Sequence, residues 1–273
     1  MRTSKVLTAA IALSIVAGCG DTGGAGGTLA ARRPAVSTSL SAPQPSRTPT
    51  LESAPSGLPA NLLGRIPQFA EAPVPTKVAL APNGTAGWFS RIPTNQKVAF
   101  ITIDDGWVKH PLALELFRAA GVPTTLFLEV NAIKSDPGYF TALQSAGATI
   151  ENHTISHPNL KGLSYAAQKR EICGGADRLA QLYGRRPILF RPPGGTHDAT
   201  TLRVAHDCGM KAAFFWKETT DHGKVFFQEG HTVQPGDIIL MHFRKRFVDD
   251  FLAVLNAIHQ AGLTPARLAD YLP

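Results

Sequence analysis

The sequence predicts an α/β chain that closes into a (β/α) barrel of about seven parallel strands. Three observations predict it. From Lys97 onward, short apolar runs alternate with amphipathic stretches. The runs are continuous in apolar residues, as strands covered on both faces require. Polar clusters also fall directly after the runs: Asp104-Asp105, His153 with His157, Arg191, Trp216 to Asp221, and His242. A barrel gathers its C-terminal strand ends around one mouth, whereas an open sheet would spread these groups apart.

In order, "KVAFITI" reads as a buried strand ending at Asp104. Ala113, Leu116, Phe117 and Ala120 follow helical spacing, with Pro111 before the helix and Gly121 after it. "TTLFLEV" is the second strand, "PGYFTALQSAG" a short helix and "ATI" the third strand. Ser164 can cap a longer helix whose apolar stripe runs Ile172, Ala176, Leu179, Tyr183, although the Gly174-Gly175 pair inside it disfavours a helix. "PILF" is a strand, "DATTLRVAHDCG" a helix, and "KAAFFW" and "DIILMH" two more strands. The last helix places Val248, Phe251, Leu252, Leu255 and Ile258 on one face.

The N-terminal part is of another kind. Residues 1–18 carry Arg2 and Lys5, then "VLTAAIALSIVAG", too short to span a bilayer comfortably, and read as a secretory signal peptide. "VAGC" resembles the lipobox of bacterial lipoproteins, which implies lipidation at Cys19 and anchoring to the outer face of the cytoplasmic membrane. Residues 19–76 are rich in Gly, Pro, Ser and Thr and are expected to form a tether, leaving 77–273 as the folded domain. The formal net charge of +7 suits anionic envelope polymers, and an exported chain has no nucleic acid to meet. A monomer is expected. Cys173 and Cys208 fit a disulfide or two buried thiols equally well.

Several residues carry chemistry. His153 and His157 stand four apart, a spacing that puts two imidazoles on one side of a helical turn. One of Asp104 and Asp105 can join them in a two-histidine, one-carboxylate metal site that leaves a position for water; zinc suits it, and cobalt, nickel or iron are not excluded. Adjacent residues of a strand point apart, so the other aspartate is free to act as a general base. "FRPPGG" offers Arg191 to hold a carboxylate and the Gly194 N–H to face an oxyanion. His242 would share that mouth.

"TIDDG", "HTISH", "RPPGG" and "ILMH", in this order, resemble the successive motifs of polysaccharide deacetylases, the NodB-homology or carbohydrate esterase family 4 group. The resemblance covers roughly Lys97 to Tyr271. It implies a distorted (β/α) barrel and a metal-dependent hydrolysis of N-acetyl groups on an amino-sugar polymer. It assigns Asp104 as base, oriented by Arg191; Asp105, His153 and His157 as metal ligands; and His242 as acid. Gly194 would supply the oxyanion N–H, and Leu240 would line the pocket for the acetyl methyl. Two departures concern the pocket walls. Gly194 stands where the family usually carries an aromatic. "WKETTDHG" stands where it commonly has two aspartates and a tryptophan, so Asp221, with Glu218 as second choice, is expected to tune His242.

An anchored, tethered domain points to the cell's own envelope, with peptidoglycan first and chitin oligomers next. An O-acetyl esterase acting on xylan or another glycan would use the same metal and base. A wall-binding lipoprotein without turnover is the remaining alternative.

Overall fold

Among the described residues, nine of the ten strands pair in parallel, and their order sets the ends of the strands that carry Asp104 and His242 side by side. The computed structural model describes residues 57–273. Residues 1–56, on which the expected signal peptide 1–18, the lipidation expected at Cys19 and most of the expected tether fall, lie outside the described residues. In chain order the elements are α1 (Ala60–Leu63), β1 (Gly87–Phe89), β2 (Val98–Asp105), α2 (Ala113–Ala120), β3 (Thr125–Leu128), α3 (Val130–Ile133), α4 (Pro137–Ser145) and β4 (Thr149–Asn152). Then come α5 (Tyr165–Tyr183), β5 (Leu189–Phe190), α6 (Ala199–Asp207), β6 (Ala212–Phe214), β7 (Glu218–Asp221), β8 (Lys224–Phe227), β9 (Ile238–His242), α7 (Phe247–Gln260) and β10 (Thr264–Pro265). The sheet order is β1-β6-β5-β4-β3-β2-β9-β7-β8. Every neighbouring pair is parallel except β7 with β8, and β10 pairs with the start of β2. The result is a curled, mostly parallel sheet, a distorted (β/α) barrel.

Strand alternation sorts the side chains into two layers. Val98, Phe100, Phe127, Leu189, Ala212, Phe214 and Ile238 fill the inside of the curl and meet Tyr271. Ile101, Ile103, Leu126, Leu128, Ile239 and Met241 face outward onto Leu116, Phe117, Phe251 and Leu255 of α2 and α7. A further cluster joins α5 to α6 through Ile172, Ala176, Val204 and Ala205. There Cys173 and Cys208 form a disulfide, with their Cα atoms 5.0 Å apart.

Three differences from the sequence reading have physical reasons. Leu58 and Ile66 are buried in the outward-facing core, so the packed domain begins inside the stretch 19–76 read as tether; its Pro-rich composition masked a few anchoring apolar residues. The Gly174-Gly175 pair does not interrupt α5. A Cβ at Gly175 would come within 2.5 Å of Asn152 Oδ1 and 3.1 Å of the Thr154 carbonyl carbon, so the glycine lets the helix press against the loop after β4. "ETTD" and "KVFF" form an antiparallel hairpin whose turn residues, His222 and Gly223, both have positive φ, 51° and 73°.

Candidate active site

Register brings the first two groups together. β2 pairs with β9 so that Thr102 lies opposite Leu240 and Asp104 opposite His242. Neighbours in a parallel ladder project to the same face, so Asp104, Thr102, His242 and Leu240 share the inside of the curl. β5 supplies the third group. Arg191 follows Phe190 and is fully buried. Its Nη1 donates to Asp104 Oδ1 at 2.7 Å and to Thr102 Oγ1 at 2.8 Å, and its Nη2 to the Phe215 carbonyl at 3.1 Å. The guanidinium carbon also lies 4.5 Å from the centroid of the Phe127 ring. Arginine suits this place because it stays charged and donates as a planar fork. Burial pushes the Asp104 carboxyl above its ordinary value, and Arg191, then His242, offset only part of that rise.

The second aspartate turns elsewhere. Asp105 has φ 72°, a left-handed conformation at the very end of β2. Its Oδ1 is buried and has no hydrogen-bond partner among the described residues. It lies 3.5 Å from His153 Nε2 and 3.6 Å from His157 Nε2. His153 Nδ1 donates to the Arg191 carbonyl at 2.7 Å, which leaves Nε2 with its lone pair free. Burial pushes the His153 imidazole down to about 4, so it is neutral, the form that binds metals.

These three residues fit a divalent cation. One ligand atom from each lies within 4.8 Å of the others. Atoms bound about 2.1 Å from one tetrahedral ion stand ~3.4 Å apart, close to the Asp105–His153 and Asp105–His157 separations. The ion would also satisfy the otherwise orphaned Oδ1.

The loop holding the histidines is not the helical turn that their spacing suggests. Thr154 and His157 adopt positive φ, 72° and 57°. With Asp105, they make three of the four non-glycine residues in this region among the described residues, a concentration of strain at one place. Side chains hold the shape. Asn152 Oδ1 accepts from the Thr154 N–H at 3.0 Å, and Thr154 Oγ1 accepts from the His157 N–H at 3.1 Å. Glu171 on α5 accepts from the N–H groups of Ile155 and Ser156 and from the Ser156 hydroxyl, at 3.0, 2.9 and 2.9 Å.

Of the remaining expected residues, Gly194 has φ 60° and is exposed beside the buried Arg191-Pro192-Pro193. Leu240 is 3 % exposed, two residues before His242 and on the same face. Asp221 is a correction. Its carboxylate is taken at the surface by Arg244, at 3.1 Å, and His222, at 3.0 Å. His242 Nδ1 is buried and without a hydrogen-bond partner among the described residues. Glu218 does not serve it either. It starts β7 opposite Ile239, where burial, then Asp237, raises its carboxyl to about 9. The hairpin redirected both acids. Burial likewise lowers the His242 imidazole to about 4, with Asp104 opposing.

Two contributors were missed in the sequence. Glu171 lies on a helix far along the chain, with no local signal. Trp107 follows Asp105 by two residues, and a large apolar side chain in a turn after a strand was the available sign. It lines a cleft of about 290 Å³ with Asp105, Glu129, Ser156 and His157.

Known proteins resemble this arrangement. Residues 91–213 match the family model described as polysaccharide deacetylase, a stretch that runs from before β2 into β6 and ends before His242. An uncharacterised protein of Streptomyces coelicolor is 38% identical over 185 residues, 66% of this chain and 74% of its own. A peptidoglycan-N-acetylglucosamine deacetylase of Bacillus cereus is 27% identical over 172 residues, 60% of this chain and 79% of its own. Among solved structures, a CE4 family pseudoenzyme from Bacillus anthracis superposes with a TM-score of 0.61 at 21% identity, covering 71% of this chain and 70% of that one. At that identity the likeness is one of fold.

Proposed function

Since the chain belongs to the polysaccharide deacetylase family, in its NodB-homology, carbohydrate esterase family 4 branch, we propose that it removes N-acetyl groups from an amino-sugar polymer of the cell envelope with the help of a divalent metal. Peptidoglycan is the first candidate substrate, as it is for the Bacillus cereus relative by its name, and chitin oligomers come next. The observation that carries this reading is the pairing of a base held by a buried arginine with an adjacent carboxylate–histidine–histidine set.

Asp105, His153 and His157 would hold the ion, zinc first and cobalt or nickel next. Bound there, it would polarise the acetamide carbonyl and acidify water. Asp104, fixed by Arg191, takes a proton from the attacking water. The hydroxide adds to the carbonyl carbon, and the Gly194 N–H meets the developing oxyanion. His242, neutral at rest and beside Asp104 in register, takes up that proton from Asp104 and passes it to the nitrogen as the C–N bond breaks, releasing acetate and leaving a free amine. Leu240 bounds the space for the methyl group. Lipidation at Cys19 would keep the domain at the outer face of the membrane, within reach of its polymer.

The unpartnered Nδ1 of His242 favours a second reading, a wall-binding protein without turnover. Acetate release decides between them. The purified protein is incubated with N-acetylated peptidoglycan, chitin oligomers and acetylxylan, with added zinc or cobalt and after chelation. Metal-dependent acetate from an amino-sugar polymer supports the deacetylase. Acetate from xylan alone makes it an O-acetyl esterase, and bound metal without acetate from any polymer makes it a binding protein.

A further inference from the structure

We propose that Trp107 is a sugar-binding platform, its indole face taking the apolar face of a pyranose ring in the polymer next to the residue being deacetylated. The proposal rests on the deacetylase reading for its ligand class and on four observations of its own. First, Trp107 is 58 % exposed, and among the described residues it is the largest of the exposed large apolar side chains, the others being Leu63, Val74, Leu163 and Phe226. A tryptophan left in water forgoes most of its apolar burial, so its position calls for a partner.

Second, that position is beside the chemistry. Trp107 lines the cleft that also contains Asp105 and His157, two of the three residues of the metal set. A ring resting on the indole would therefore sit next to Asp105 and His157 in the same cleft. Third, the indole is held. Its Nε1–H donates at 3.0 Å to Oε2 of Glu129, a carboxylate only 3 % exposed that follows β3. A side chain already fixed in place loses little entropy on binding. Fourth, the backbone beneath is shaped to lift it. Gly106 has φ 116°, and a Cβ there would come within 2.7 Å of Ile133 and 2.9 Å of Phe140. The chain lies flat on α3 and α4, and the next residue is turned outward.

The chemistry of the cleft fits a carbohydrate. A β-linked amino sugar has one face made of C–H groups and an edge of hydroxyls. Trp107 matches the face, and the Glu129 carboxylate beside it can accept from the edge. Apolar rings with a few fixed polar groups are the usual lining of a small-molecule site.

The test uses the metal-loaded full chain in an Asp104→Asn background, where turnover is stopped, titrated calorimetrically with a β-1,4-linked N-acetylglucosamine hexamer. Adding Trp107→Ala should weaken binding about tenfold or more, and adding Trp107→Phe, which keeps a ring, should restore most of it. With Asp104 intact, Trp107→Ala should raise KM by a similar factor while kcat and metal content stay near wild type. Equal affinity and equal KM in the alanine variant overturn the platform, as does the absence of saturable hexamer binding in the background protein. Hexamer binding that depends on Trp107, with no acetate released from peptidoglycan or chitin by wild type, would instead refute the deacetylase reading and leave the platform standing.

Discussion

Glu171→Ala should weaken metal binding without touching a ligand. One carboxylate on α5 receives three hydrogen bonds, all between 2.9 and 3.0 Å, from Ile155 and Ser156. Those residues link His153 to His157 through a loop with two left-handed non-glycine residues, Thr154 and His157. Each such conformation costs about 1 kcal/mol or more, Thr154 the most because its side chain is β-branched. A hydrogen bond to a charged acceptor contributes about 1.5–3 kcal/mol when buried and less in water. The exposed Ser156 bonds are discounted accordingly, so the carboxylate favours the binding shape by ~2 kcal/mol.

Without Glu171 the loop relaxes, and the metal must restore it on binding. Zinc affinity, measured by competition with a chromophoric chelator, should fall ~10–100-fold, the usual cost of losing a residue that orients a ligand. Glu171→Gln retains an acceptor oxygen and should fall between. The visible spectrum of the cobalt-loaded variant should shift as His157 moves. An unchanged affinity in a variant that melts with wild-type cooperativity would refute the reasoning, because it would mean that Asn152 and Thr154 hold the loop unaided.

Asp104→Asn should keep bound metal while lowering turnover by orders of magnitude, whereas Asp105→Asn should lose the metal; metal lost from Asp104→Asn but kept by Asp105→Asn would show that the two aspartates had been exchanged. Glu218 is raised from its ordinary 4.5 to about 9 by burial, then by Asp237, so the native state binds its proton more tightly than the unfolded chain. Its stabilising contribution is complete below pH 4.5 and is lost as pH rises towards 9, so Glu218→Gln should melt increasingly above wild type across that window, and a gap independent of pH would contradict this. Replacing Cys173 and Cys208 together by serine opens a link spanning 35 residues and should cost about 3–4 kcal/mol in denaturant unfolding under non-reducing conditions, against no loss if the link is absent in solution.

Much of the site was legible because it is written at strand ends. β2, β9 and the segment after β5 are recognisable as apolar runs, and Asp104, Asp105, Arg191 and His242 follow them directly. His153 and His157 were legible as a pair but not in conformation, since a spacing of four suits a helical turn and the loop instead uses left-handed backbone. The hairpin β7–β8 was hidden because its turn, His222-Gly223, is a weaker signal than Asn-Gly, and β8 alternates between exposed and half-buried. That omission misplaced Asp221, because a residue at a hairpin tip points where the turn sends it. Glu171 and the Gly175 contact belong to α5 packing on the loop, which spans 15 to 23 residues of sequence and leaves no periodic trace.

Two neighbouring aspartates can do different work only if something holds them apart in direction and in charge. Direction comes from the backbone. Asp104 keeps strand geometry and faces inward, while the left-handed Asp105 swings its carboxylate towards the histidines. Charge comes from Arg191, whose side chain neutralises Asp104 and whose carbonyl fixes the His153 tautomer. A single residue thus orients the base through its guanidinium and a metal-facing imidazole through its backbone. A lysine there could supply the charge but not the fork that also reaches Thr102 and Phe215. The rigid Pro192-Pro193 that follows keeps the carbonyl and the guanidinium in one fixed relation, so the base and the metal set cannot drift independently.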